Sequence, residues 1–143
     1  MADRSFINDL VREALNLSRG ERIDEAYNLS GTLYYAFKRS VGDDLASDLL
    51  YTTSAIFLKC SNEHTVSESV YDFLASVFGV RLSYDQFLDS MNRHYTDYKI
   101  ELFQKALRNF NQDEYTALCL FGCLIYACDG RVTEAERDFL CSL

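Results

Sequence analysis

Two carboxylates late in the sequence, Asp129 and Glu136, have the type and spacing to gather a hard cation. They bracket Asp129-Gly130-Arg131-Val132-Thr133-Glu134-Ala135-Glu136, a stretch of the form D-G-x-V-T-x-x-E. The same form is the second half of a calcium-binding EF-hand loop. Such a loop needs oxygen ligands at its first and third positions, and these fall on Ile125 and Ala127, whose side chains have none. An EF-hand is therefore excluded on ligand count. Turn and cap chemistry covers much of the motif. Gly130 can end a helix in the left-handed conformation, and Thr133 with Glu136 can form a capping box. Asp129 can bond its own turn, and Glu134 lies in a first helical turn where the macrodipole favours negative charge. That chemistry does not explain why Glu136 falls on the apolar face formed by Val132, Ala135, Phe139, Leu140 and Leu143. A carboxylate on a buried stripe is costly unless it is paired, capping or bound to metal. Asp129 with Glu136 is thus the leading pair for cation or partner chemistry.

Other reactive residues give weaker patterns. Cys119 and Cys123 are spaced i, i+4, with Cys128 nearby, and thiolates so spaced could hold zinc if further ligands converged. The chain has only two histidines, His64 and His94, and neither stands beside a Cys-x-x-Cys unit, so buried core thiols are expected. The five cysteines are odd in number and four of them fall within apolar helical pattern, which suits a reduced protein better than a disulfide framework. His64, next to Glu63, reads as a turn histidine that could also serve as a ligand or in proton transfer. No nucleophile elbow, Walker loop, dinucleotide fingerprint or zinc-protease helix is present, and no enzymatic activity is expected.

The elements that must position these residues are helical. Val66 to Val77 aligns without gaps on Val132 to Leu143, with Val66/Val132, Glu68/Glu134, Asp72/Asp138, Phe73/Phe139, Leu74/Leu140 and Ser76/Ser142 identical. Such a repeat predicts a duplicated helix–loop–helix unit. It makes the loops at the head of each copy, residues 61–65 and 128–131, the places to look for a site. Glu63 aligns with Asp129, and Val70 with Glu136.

Apolar periodicity elsewhere predicts a first helix through Phe6, Leu10, Ala14 and Leu17, and a second from Ile23 to Val41, ended by Gly42. Asp43 or Asp44 is expected to cap a third helix that reaches Cys60. Ser67 should cap the first repeat helix and Gly79 should stop it. Ser83 with Gln86 is a capping-box signature opening a long helical stretch, with a break between His94 and Asp97. Asn111 with Glu114 is another, opening a helix through Cys128 that is apolar on nearly all sides and so belongs at the centre of the domain. Gly122 within it should permit a close neighbour. The chain is read as one all-α domain, residues 1–143, of about seven or eight helices.

Composition sets the outer bounds. With 143 residues, 48% hydrophobic and 25% charged, the chain is large enough for a real core and is not of disordered type. The absence of Pro, with only 6 Gly, leaves little punctuation for a many-turned β architecture. A net charge of −8 with scattered basic residues argues against a nucleic-acid surface. The longest apolar run, Ala117 to Cys128, is too short to cross a bilayer, which needs about 20 residues. No signal peptide opens the sequence, so a cytoplasmic location is expected.

The stretch Leu124 to Leu140 resembles the signature of the tellurite-resistance TerB-like family: an apolar helix ending in A-x-D-G, then x-[IV]-[ST]-x-x-E and a second apolar helix. The resemblance is close over roughly the last 20 residues, with the first copy as weaker support. It implies an all-helical fold with an approximate internal duplication. It also implies acidic loops that bind a divalent cation, and a place among bacterial stress-response or envelope-associated systems. Asp129 and Glu136 match the family's acidic positions, and Glu63 stands where the first copy's acid would be. His64 replaces the glycine and Val70 the second glutamate, so the first loop is degenerate. Two functions follow as expectations. One is a cation-sensitive protein-interaction module using Asp129, Glu136 and Glu63. The other is a metal-independent adaptor or dimerisation domain in which the same acids are caps and turns.

Overall fold

Each helix of this protein starts and stops where local chemistry tells it to. A computed structural model describes residues 3–60 and 67–143, and among them are eight α-helices, one 3-10 turn and no strand. Helix α1 (Arg4–Asn16) is capped by Asp3, whose carboxylate accepts from the Phe6 N–H at 2.8 Å. Helix α2 (Arg19–Val41) opens with a capping box between Ser18 and Glu21. Arg22, in its first turn, donates to the Ala14 and Leu15 carbonyls at 2.9 and 3.1 Å, closing the free end of α1 and fixing the α1–α2 corner.

Between α2 and α3 (Asp43–Lys59) stands Gly42 alone, at φ 86°. The expected Asp43 or Asp44 cap is not what is found. Gly42 itself holds the N-cap position, with no side-chain cap bond, and the Asp43 carboxylate pairs with Lys38 at 3.1 Å. A one-residue link between two helices needs positive φ, which a glycine adopts without steric cost.

Helix α4 (Glu68–Phe78) is capped by Ser67 and ended by the left-handed Gly79. Helix α5 (Tyr84–His94) has the Ser83/Gln86 box, and α6 (Asp97–Leu107) is capped by Thr96, so the chain breaks between His94 and Asp97 as its pattern suggests. Helix α7 (Gln112–Tyr126) opens on the Asn111/Glu114 box, runs into the 3-10 turn at Ala127–Asp129, and is closed by Gly130 at φ 92°. Helix α8 (Glu134–Ser142) opens on the Thr133/Glu136 box.

One continuous apolar core joins these helices. Its axis is α7, in which every residue from Ala117 to Tyr126 is buried. Helices α1, α2, α3, α4 and α8 all pack on it, while α5 packs on α3, and α6 on α2 and α3. The ring of Phe57 on α3 stands edge-on to Tyr126 and Phe139, at centroid distances of 5.7 and 5.9 Å. The Tyr126 hydroxyl donates to the Phe57 carbonyl at 2.6 Å. That ring fits because position 122 has no side chain: a Cβ there would lie 2.4 Å from Phe57 Cε1 and 2.9 Å from Leu140 Cδ2.

The two sequence copies begin alike. Ser67 accepts from the Val70 N–H and Thr133 from the Glu136 N–H, and the helices start at the aligned residues Glu68 and Glu134. Leu74 and Leu140, also aligned, are both fully buried. Their surroundings differ, since α8 lies on α1 and α7 whereas α4 lies on α2 with the 3-10 turn beside it. The likeness is one of cap chemistry and helix start.

A second glycine has no such internal reason. Gly31, midway along α2, is exposed, and no described atom lies within 4 Å of the place its Cβ would take. Relative to Ala it costs the helix about 1 kcal/mol.

Gly122→Ala is expected to destabilise the fold by about 1–2 kcal/mol in urea unfolding, the overpacking loss minus the helix-propensity gain. Combining it with Phe57→Leu should give less than the sum of the two single losses. Strict additivity would mean that Phe57 is not what position 122 makes room for.

Candidate functional site

The sequence places the candidate chemistry at the loop between α7 and α8, where the last turn of a buried helix meets the first turn of an exposed one. Asp129 ends the 3-10 turn and is exposed, and its Oδ1 accepts from the Arg131 N–H at 3.3 Å. Glu136 is the third residue of α8 and only 6% exposed. Its Oε1 accepts from the Thr133 N–H at 2.9 Å, while Thr133 Oγ1 accepts from the Glu136 N–H at 3.2 Å. The capping role and the burial read from the apolar stripe are therefore both found. Glu63 and His64, the first loop's contribution, lie outside the described residues.

The two acids share a neighbour. Burial first, then the Asp129 and Glu136 carboxylates, push the Cys128 thiol up to about 12. Burial, with Glu136 second, also pushes the Tyr126 hydroxyl up. Both groups stay protonated at neutral pH, and the Arg19 and Arg22 guanidiniums offset part of what the two carboxylates do to Cys128. Carboxylate oxygens are the donor type a hard dication takes, so Asp129 and Glu136 suit such an ion in kind. Among the described residues, no group of three or more His, Cys, Asp or Glu side chains is arranged to hold a metal.

The other acids conserved between the sequence copies serve as anchors. Glu134 and Asp138 reach the Arg4 guanidinium at 2.5 and 2.8 Å, tying α8 to α1. All three side chains are well exposed, so these pairs orient more than they stabilise.

The cysteines read as core thiols. Burial pushes Cys119 up to about 11 and Cys123 up to about 12, so both are neutral thiols at neutral pH. Cys60 borders a cleft of about 310 Å³, lined among others by Ile56, Tyr95, Phe103, Leu107 and Phe139. Burial raises the Cys60 thiol, and the bond to Tyr95 offsets part of that rise. Nothing in the sequence pattern pointed to this cleft, because its walls come from α3, α6 and α8.

A second buried carboxylate, Glu114, escaped the sequence analysis except as a cap. It is 8% exposed and closes the α7 box, its Oε1 accepting from the Asn111 N–H at 2.9 Å. The Arg39 guanidinium, from α2, grips it with both arms at 2.6 and 2.7 Å. Those bonds hold the Glu114 carboxyl below the usual carboxylate range, against the opposing effect of burial.

Comparison with protein-family profiles, with curated proteins and with solved structures found no match for this chain.

Because Glu114 titrates lower folded than unfolded, its pairing stabilises the protein above the unfolded value, about 4.3, and fades as pH falls through the folded one. Arg39→Gln should therefore lower stability at neutral pH and flatten its decline between about pH 5 and pH 3. Glu114→Gln, which can keep the box, should flatten the decline in the same way. Urea midpoints across this range measure it, and an unchanged slope would show that the pair adds nothing.

Proposed function

We propose that this chain is a non-enzymatic helical interaction module that presents the outer face of α2 to a protein partner. The observation that supports this reading most is the pair of tyrosines on that face, Tyr27 and Tyr35, which are 65% and 67% exposed. They lie two turns apart on one side of the longest helix, while the opposite side carries the buried Ala26, Leu33, Ala36 and Phe37. Large aromatic rings left in water cost the monomer burial it could otherwise have had, and such residues anchor contacts when covered. The chain then belongs with all-helical adaptors in which the acids of the α7–α8 loop are caps and turns.

The TerB-like resemblance supports a second layer, in which a divalent cation at Asp129 and Glu136, with Glu63 of the first loop, modulates the module. What supports it is donor type: Asp129 and Glu136 both offer carboxylate oxygens, which such an ion takes, and both act on the same Cys128 thiol. The same resemblance suggests a bacterial stress-response or envelope-associated setting. No helix among the described residues is long and apolar enough to cross a membrane.

A photo-crosslinking residue at position 35, in the cells that make the protein, should give a discrete adduct, and one at exposed Asp89 on α5 should not. Absence of any adduct from position 35 would overturn the interaction reading. For the cation, melting is followed with calcium, magnesium, manganese and zinc. An ion at 100 times its dissociation constant should add about 2.7 kcal/mol, and Asp129→Asn with Glu136→Gln should abolish that gain while keeping the box. If no ion raises the melting temperature, or the gain survives the double substitution, the loop is structural only.

A further inference from the structure

The exposed face of α2 reads the same from either end. Gly31 stands at its middle. Four residues before it is Tyr27 and four after it Tyr35, and seven residues before it is Asp24 and seven after it Lys38. All five are exposed. The tyrosines lie about 12 Å apart along the axis, and the acid and the base bound a span of about 21 Å. The acidic residues of α2, Glu21, Asp24 and Glu25, lie in its first half together with Arg19 and Arg22, and its last turn carries only the basic Lys38 and Arg39 as charges.

We infer that α2 is a self-association surface, on which a second copy of this chain packs its own α2 antiparallel, with the two Gly31 residues facing at the dyad. This rests on the interaction reading above and names its partner. An isologous contact requires each patch to complement itself under a two-fold rotation. Here the rotation sets Tyr27 against Tyr35 of the second copy, and Asp24 against Lys38 of the second copy, twice over. Like charges meet in the parallel arrangement and opposite charges meet in this one, so the order of charges selects the direction.

The glycine then has a purpose. Within one chain no described atom approaches its missing Cβ, and a helix loses stability by carrying it. At a crossing point it lets two helix axes come close, as Gly122 lets Phe57 approach α7 inside the molecule. Lys38 is within reach of the task. Its ammonium lies 3.1 Å from Asp43 and over the Tyr35 ring at 5.9 Å, yet its side chain is 45% exposed. Arg39 is committed to Glu114 and is left out of the contact. A single helix face buries less than the roughly 800 Å² per partner of a standard interface, so the dimer is a weak one that forms and parts with concentration.

Sedimentation of the full chain from 5 to 500 µM tests this. The expected result is a reversible monomer–dimer equilibrium. Asp24→Lys and Lys38→Glu should each weaken the dimer at least tenfold, and the two together should restore it, because the swapped charges meet again across the dyad. Lys38→Glu also sets an acid beside Asp43, so circular dichroism melting checks that each variant is folded. Gly31→Gln is the independent variant: it should raise the melting temperature of the monomer and abolish the dimer. A protein that stays monomeric at 500 µM overturns the proposal, as does a double swap that fails to recover association, or a Gly31→Gln variant that dimerises like the parent. A monomer whose position-35 crosslinker gives an adduct only with a different protein would overturn self-association while leaving the interaction reading in place.

Discussion

A helix surrounded on all sides has nowhere to put a charge, and α7 is such a helix from Ala117 to Tyr126. Five other helices pack on it, so its lack of side-chain bulk at Gly122 becomes a dimension of the whole fold. The Phe57 ring enters that gap, and by doing so it brings α3 close enough for the Tyr126 hydroxyl to find the Phe57 carbonyl. The same ring then offers its edge to Phe139, which sets where α8 lies. Buried thiols at Cys119 and Cys123 follow from the same constraint, since a small weakly polar side chain is tolerated where an ionised one is not.

Among the described residues, the buried charges stand at helix starts. Glu114 and Glu136 occupy the third position of α7 and α8, and each turns back on its own cap. A glutamate used this way is drawn inward by its hydrogen bond while carrying a charge that burial penalises. At α7 the penalty is met by the two-armed grip of Arg39, a residue far away in sequence. At α8 the carboxylate raises both the Tyr126 hydroxyl and the Cys128 thiol, while Arg19 and Arg22 lower that thiol. Identical local motifs thus acquire different electrostatic settings from their tertiary neighbours, and only the second of them abuts a loop of acids.

Local rules carried most of the fold. The Ser83, Asn111 and Thr133 caps, the stop at Gly79 and the burial of α7 are all legible because each depends on residues a few positions apart. The Ser18/Glu21 box lies ahead of Ile23, where the apolar periodicity of α2 first shows, so the periodicity alone places the helix start too late. The Gly42 corner was misread because an aspartate is the stronger cap by type, whereas a one-residue link needs positive φ. Of the candidate site, the cap and burial of Glu136 were legible from its place on an apolar stripe. The Arg39–Glu114 pair and the cleft beside Cys60 were not, since both join helices that no sequence period relates. The symmetry of the α2 face was present in the sequence, yet it has meaning only once those residues are known to be exposed.

The two aligned segments show how one residue difference changes the chemistry at a helix start. Ser67 and Thr133 both cap through their hydroxyls, but the residue that answers them is Val70 in one and Glu136 in the other. A valine cannot accept from the cap N–H, so α4 has half of a capping box where α8 has the whole. In exchange, Val70 joins the apolar surroundings of the core without introducing a charge there. The helix with the glutamate has a buried acid at this position, and the helix with the valine has apolar packing there. On the proposed cation reading, the carboxylate that Glu136 supplies near the start of α8 therefore has no counterpart at the aligned position of α4, which is Val70.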